Sequence, residues 1–310
     1  MQLRNSRDRR TLVWTAAMPV VTAVQYIWPS LLGYVTPVAC YFALCAGVIA
    51  HNHNHCPTFT DRRSNRAFGL WLSLFYGYPT FAWIPTHNQN HHRFLNGEGD
   101  ATVTWRYGNR HNLPTAVSYF FVSSYWQSGP IKDYIRKARE SSPTTHRRIL
   151  TEYFFWGGAA VVLLALAISL HGPALGFKVW LIGSVVPAFF ALWTIMLFNY
   201  EQHVHAAPYS EHSHSRSWEG RTVNYLLFNN GYHAAHHEHP GAHWSELPQL
   251  HAALAPSIDP ALIEGSLSWY FVKNYLLATF SPRFGTKQLG AEPSTLVRPT
   301  ASSARVASAE

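Results

Sequence analysis

Apolar runs alternate with polar segments along this chain, and the polar segments that follow the runs are rich in histidine. Positions 12–50 are apolar almost throughout, interrupted by Pro19, Pro29, Gly33 and Pro37. That is about twice the roughly 20 residues a helix needs to cross a bilayer, so a helical hairpin turning near 33–37 is predicted. Positions 150–170 and 175–198 are again of spanning length, joined by His171, Gly172 and Pro173, and they predict a second hairpin. The stretch 67–84 is apolar but carries Gly69, Gly77 and Pro79 and runs into Pro85. It is predicted as a re-entrant or interfacial helix pair, because a full crossing would put the histidines before and after it on opposite sides. An aromatic-rich amphipathic piece at 113–126 and a short run at 267–280, broken by Lys273 and Asn274, read as interfacial helices. Beyond Arg283 the Ser, Ala, Pro and Thr content predicts disorder. The expected architecture is an all-α integral membrane domain, 1–285, followed by a disordered tail, 286–310. Four transmembrane helices form its two hairpins, and a cytoplasmic helical cap carries the histidines.

Composition agrees with a membrane setting. Of 310 residues 47% are hydrophobic, 15% aromatic and only 13% charged, against about 25% charged in ordinary globular chains. The net charge of +8 comes from loops flanking apolar runs, with no nucleic-acid recognition module, so anionic lipid headgroups rather than nucleic acid are the expected partner. Every Lys and Arg except Lys178 falls on the side of the N-terminus in this topology, which makes that side cytoplasmic. Cys40, Cys45 and Cys56 are odd in number and lack CxxC spacing, which argues against a disulfide framework. The basic residues within 4–10 resemble the start of a signal peptide, but the apolar run that follows is too long for a cleavable one.

The candidate chemistry lies in four histidine sets. His233, His236 and His237 sit at offsets of three and four, which on a helix bring the rings onto one face. His51, His53 and His55, then His87, His91 and His92, then Asn199 and His203 with His205 close behind, repeat such spacings at the ends of apolar runs. Neutral imidazole is the commonest metal ligand among side chains, and the four sets together offer eight or nine imidazoles at helical spacing plus an amide oxygen, too many for one ion. Two metals at four or five protein ligands each use them without remainder. Imidazole suits iron, zinc, copper and nickel alike, but a catalytic zinc usually takes three protein ligands. A pair of irons is therefore the economical reading, with O2 as co-substrate.

Taken in order, His51-x-x-x-His55, His87-x-x-x-His91-His92, Asn199-x-x-x-His203 and His233-x-x-His236-His237 resemble the membrane fatty acid desaturase and hydroxylase superfamily. The resemblance covers roughly 12–255 and implies a di-iron centre on the cytoplasmic face of a four-span, mushroom-shaped helical fold. It implies His51, His55, His87, His91, His92, His203, His233, His236 and His237 as iron ligands. Asn199 would act on a metal directly or through a water. His53 competes with its neighbours as a ligand, whereas His205, His239 and His243 are expected in supporting roles. Asp100, Glu201 and Glu238 are placed to accept the other N–H of a ligand histidine.

The reading is an O2-dependent oxidoreductase of the bacterial inner membrane that desaturates a fatty acyl chain dissolved in the bilayer. Electrons would come from a separate ferredoxin, rubredoxin or cytochrome b5 with its reductase, and the basic stretch 132–139 is a candidate docking face. Hydroxylation of a lipid or alkyl chain, and ketolation or hydroxylation of a carotenoid, use the same ligand motifs. A membrane zinc hydrolase and a metal-storage protein are the readings from other classes.

Overall fold

The computed structural model describes residues 2–290. It is mostly helical: α1 Arg9–Ile27, α2 Leu32–His55, α3 Arg62–Tyr76, a short α4 His92–Phe94, α5 Leu113–Ser141, α6 Pro143–His171, α7 Pro173–Trp180 and α8 Val186–His203. The smaller α9 Arg221–Leu226, α10 His233–Glu238, α11 Leu247–Leu254 and α12 Leu267–Phe271 follow. Two strands that the sequence does not announce, β1 Ser217–Trp218 and β2 Ile263–Glu264, pair in parallel.

Three helical stretches are long and apolar enough to cross a bilayer: Pro29–His55, Pro143–His171 and Pro173–His203. The 19-residue α1 packs on α2 beside them. The turn between α1 and α2 falls at Trp28–Leu31, ahead of the predicted 33–37, because Pro29 opens a 3₁₀ turn while Pro37 is absorbed inside α2. A proline near a helix start loses only an N–H that has no partner there. Far from the histidines, the Nε2–H of His171 donates to the carbonyl of Tyr26 at 2.6 Å and Tyr26 Oη lies 2.7 Å from Ser184 Oγ. Gly176 makes this packing close, since a Cβ there would lie 2.5 Å from the Ala167 carbonyl oxygen.

Burial separates the long helices by role. The most apolar window of Pro29–His55 is 56% buried inside the protein, against 6% for Pro143–His171. The former is the central pillar, packed by α1, α3 and α8. By contrast α6 turns Phe154, Val161 and Val162 outward, 65–83% exposed, as a helix facing lipid would.

The stretch predicted as re-entrant is α3 followed by a sharp reversal. Asp61 caps α3 through the Ser64 N–H, and Gly77 ends it at φ +89, against α8. A side chain at Gly77 would need the left-handed conformation that L-residues avoid, and its Cβ would lie 2.5 Å from that of Ala188. A 3₁₀ turn, Thr80–Ala82, and a π-helix, Ile84–His91, then carry the chain back. The reversal is clamped by Glu152 on α6, whose carboxylate accepts from the Phe81 N–H at 2.8 Å and from Arg148 at 3.0 Å. Further on, α5 is much longer than its predicted 113–126, and its exposed Leu113, Val117, Phe121 and Tyr125 fall four apart on one face. The first residues of the expected tail are hydrogen-bonded to the rest of the chain. Thr286 donates its N–H to Asn274 at 3.0 Å, and Gln288 donates to the Ala206 carbonyl at 2.7 Å. The rest of that tail, 291–310, lies outside the described residues.

Glu152 is 3% exposed, so its loss strands a backbone N–H inside the protein. We expect Glu152→Ala to lower stability by about 1–3 kcal/mol, the cost of a buried group left unpaired. Thermal unfolding in detergent beside wild type checks this, and an unchanged midpoint would show that the clamp is idle.

Candidate metal centre

Four chain segments end at one place because each histidine set sits at the terminus of its helix. His51 and His55 occupy the last turn of α2, and His203 is the last residue of α8. His87 and His91 lie in the π-helix with His92 directly after it, and α10 supplies His233, His236 and His237. The nine rings sort into two groups, one of His51, His55, His87, His92 and His236 and the other of His91, His203, His233 and His237. Within each group the nitrogens offered lie within 4.8 Å of one another.

The sorting follows from helix geometry. On an α-helix His87 and His91 would share a point, as the spacing predicts. The π-helix instead bonds i to i+5, and the His92 N–H accordingly donates to the His87 carbonyl. His87 and His92 then meet edge to face, their Nε2 atoms 3.0 Å apart, and His91 turns to the second group. Likewise α10 serves both groups, His236 facing the first and His233 with His237 the second.

In the first group His51 Nε2 lies 2.8 Å from His87 Nε2 and 3.0 Å from His236 Nε2, and His92 Nε2 lies 3.0 Å from His236 Nε2. In the second, His233 Nε2 is 2.9 Å from His203 Nε2 and 3.0 Å from His237 Nε2. A metal–imidazole bond of about 2.0–2.1 Å puts neighbouring ligand nitrogens about 3 Å apart, so these spacings suit ligands on one ion. The hydrogen-bond balance agrees. His91 gives its Nδ1–H to Asp100 at 2.8 Å and His203 gives its Nδ1–H to the His214 carbonyl at 3.1 Å, which leaves both Nε2 lone pairs pointing inward. The buried Nε2 atoms of His55 and His91 have no hydrogen-bond partner among the described residues. A cation in each group satisfies all of these lone pairs at once. Burial first, and then the other histidines, push His87, His233, His236 and His237 well below the ordinary imidazole value, and His92 down to about 2. The rings are therefore neutral at pH 7, the form that binds metal.

Supporting groups divide unevenly. Asp100 takes the expected place behind His91 and also accepts from the N–H groups of Asn96 at 2.8 Å and Thr102 at 2.7 Å. Burial alone would raise its carboxyl, but the hydrogen bonds from His91 and Thr102 hold it well below the usual carboxylate range. Glu201, by contrast, meets no histidine of either group. It accepts from His111 and Tyr270, each at 3.0 Å, and from Tyr275. Glu238 accepts from His212 at 3.3 Å and His214 at 3.4 Å, and the His214 ring lies 5.4 Å from that of His237. His53 points away to Thr58 and Asn65, and His205 to Thr286 and Asn109. His243 pairs with buried Asp8 at 3.2 Å. Asn199 is buried one turn before His203, and its amide donates to Tyr119 Oη at 2.8 Å.

His111, His214, Thr102, Tyr119 and Trp83 are contributors that spacing does not reveal. Trp83 packs on both His51 and His87, with ring centroids 5.2 and 5.3 Å away. Arg10 ties α1 to the segment before α10. Its guanidinium sits 4.2 Å from the Tyr225 ring and 4.6 Å from Phe228, and it donates to the Tyr225 carbonyl.

A cavity of about 470 Å³ opens from this centre. His51, His87, His91, His233 and Asn199 line one part, and mainly apolar side chains of α3, α5 and α8, such as Phe120, Leu192, Ile195 and Met196, line the remainder. The volume is that of a small-molecule site.

Comparison with known proteins agrees with the geometry. The chain is 23% identical over 273 residues to the Sphingolipid delta(4)-desaturase DES1 of Xenopus tropicalis, covering 80% of this chain and 76% of that protein. No solved structure matches it. The profile of the fatty acid desaturase family spans residues 7–264, from the start of α1 to β2 and across all nine histidines, and the chain belongs to that family, a family of oxidoreductases.

Proposed function

We propose that the chain is an O2-dependent membrane di-iron oxidoreductase that introduces a double bond into a fatty acyl chain. The observation that carries this reading is the opening of two buried imidazole groups into a largely apolar cavity. In it His51, His55, His87, His92 and His236 hold one iron, and His91, His203, His233 and His237 hold the other. Asn199 offers an amide oxygen to the pair directly or through a water. Bound iron supplies the oxidising power, with O2, to take hydrogen from unactivated C–H bonds. Forming a double bond removes two hydrogens, and two further protons and two electrons from outside complete the reduction of O2 to water.

The protein contributes placement. Asp100 and the His214 carbonyl fix the tautomers of His91 and His203, and such partners keep ligand rings oriented before metal arrives. Trp83 and Tyr76 form an aromatic wall beside His51 and His87 where the cavity meets the centre. An alkyl chain there displaces water from the reacting carbons, which keeps the oxidant from being spent on solvent.

In the same reading α1 is the fourth span and the helices form two membrane hairpins. The histidine centre is cytoplasmic, in a bacterial inner membrane. A ferredoxin, rubredoxin or cytochrome b5 with its reductase delivers the electrons, and the exposed Arg136, Lys137 and Arg139 of α5 offer an acidic carrier a basic face.

Elemental analysis of detergent-purified protein is expected to find about two irons per chain, and far less in His236→Ala; stoichiometric zinc, or metal indifferent to the substitution, would sink the assignment. Asp100→Asn, which keeps one of the two acceptor oxygens, should weaken metal retention about 10–100-fold, the usual effect of losing such a partner, as read by chelator competition. Lipid profiling of an expressing host should show a new double bond with wild type and none with His236→Ala. A hydroxylated or keto product in its place would redirect the reading to that chemistry.

A further inference from the structure

We infer that Lys132 anchors an anionic head group, so that the substrate is an acyl chain ending in a carboxylate or a phosphate; this rests on the acyl-chain reading above and narrows it. The face of α5 that lines the cavity runs from Phe120 through Ser124 and Ile131 to Lys132 and Ile135. One end of this face is tied to the histidine centre, because Tyr119 receives the Asn199 amide at 2.8 Å. Between Tyr119 and Lys132 the helix climbs about 20 Å at about 1.5 Å per residue. The cavity thus has two chemically distinct ends.

Lys132 is the one Lys, Arg, Asp or Glu among the described residues lining the cavity, and no described carboxylate lies within ion-pairing distance of it. Its neighbour Asp133 is engaged by Arg136 at 2.9 Å. The exposed Arg136, Lys137 and Arg139 follow on the same helix, so the local field is positive. Tyr78 and Tyr153 also line the cavity, their hydroxyls 3.0 Å apart, and add polar hydrogen-bonding groups. Lys132 is itself exposed but has the apolar cavity wall on one side, so an anion held there is less fully solvated than one in open water. Hydrogen bonds to an ionised acceptor are about twice as strong as neutral ones. Lysine is a point charge with three rotatable donors, which fits either a carboxylate or a phosphate. With the head at Lys132 the alkyl chain runs toward the histidines, and the carbons oxidised lie far from the head.

The test is equilibrium binding to full-length protein in an uncharged detergent at low ionic strength, with palmitate, hexadecyl phosphate and hexadecanol as probes. Wild type should hold at least one of the two anions about tenfold tighter than the alcohol, equivalent to about 1.4 kcal/mol. Lys132→Met should erase that preference while leaving hexadecanol binding unchanged, which also reports an intact fold, and Lys132→Arg should keep it. A preference for palmitate assigns a carboxylate head, and one for hexadecyl phosphate assigns a phospholipid-like head. Ser124→Trp, which fills the cavity, should weaken all three probes. Equal binding of alcohol and anions by wild type, a preference that survives Lys132→Met, or binding indifferent to Ser124→Trp would overturn the proposal. Binding is read without O2 or electrons. A Lys132-dependent preference therefore stands even where no lipid acquires a double bond, and in that case the desaturation reading alone fails.

Discussion

Nine imidazoles packed into one buried patch are the constraint from which the rest of the molecule follows. Each neutral ring carries one N–H and one lone pair, and here the Nε2 atoms face one another at about 3 Å rather than facing donors. Protonating several of them would place like charges in contact, and leaving the lone pairs unmet costs on the order of 1–3 kcal/mol for each buried group. Cations resolve both problems together. The protein supports this arrangement from outside the patch. Asp100 and the His214 carbonyl accept the outward N–H groups, and Trp83 packs on two of the rings.

The long helices make this patch possible by bringing their ends together. The histidines of α2 and α8 occupy final turns, where rings project beyond the packed bundle and can meet rings from other segments. At the far end Tyr26 of α1 joins His171, the last residue of α6, to Ser184 just before α8, so the segments opposite the histidines are fastened to one another. Between the histidine-bearing tips the clamp of Glu152 on the Thr80–Ala82 turn sets the direction in which the π-helix leaves.

Much of this was legible in the sequence, for a physical reason. Burial in lipid or protein demands long apolar runs, and a helix that ends at a metal must place its ligands one turn apart. Both leave periodic signals, and the nine histidines that carry them gather in two groups at the helix ends. What stayed hidden depends on local backbone choice or on long-range partners. Spacing alone assumes α geometry, so the pairing of His87 with His92 needed the π-helix to be seen. Asp100 and Glu201 look equally suited to orient a histidine of the patch, yet only Asp100 meets one of the nine, whereas Glu201 meets His111. The competing His53 and His205 are settled by Thr58 and Thr286, neighbours that no periodicity indicates. The turn at Trp28–Leu31 precedes the predicted 33–37 because Pro29 opens it and Pro37 is accommodated inside α2.

The case of Glu201 shows what such a residue does instead. It sits two positions before His203, on the other side of the last turn of α8, and is wholly buried. His111 and Tyr270 donate to one carboxylate oxygen at 3.0 Å each, and Tyr275 donates to the other. Burial and the Glu201 charge push the Tyr275 hydroxyl well above its ordinary value, so it remains a donor. Arg216, itself buried, takes the carbonyls of Glu201 and Val204 at 2.5 and 3.2 Å and lies over the Tyr270 ring. The last turn of α8 is therefore held from behind by charged and phenolic groups while His203 faces the other histidines. Tyr270 and Tyr275 come from a segment beyond residue 264, where the family match ends, as does Thr286, which bonds His111. The histidine-bearing side of α8 lies within the family's shared stretch, and part of the support behind it is contributed by sequence outside that stretch. A ligand's orientation here depends on residues that no ligand motif contains.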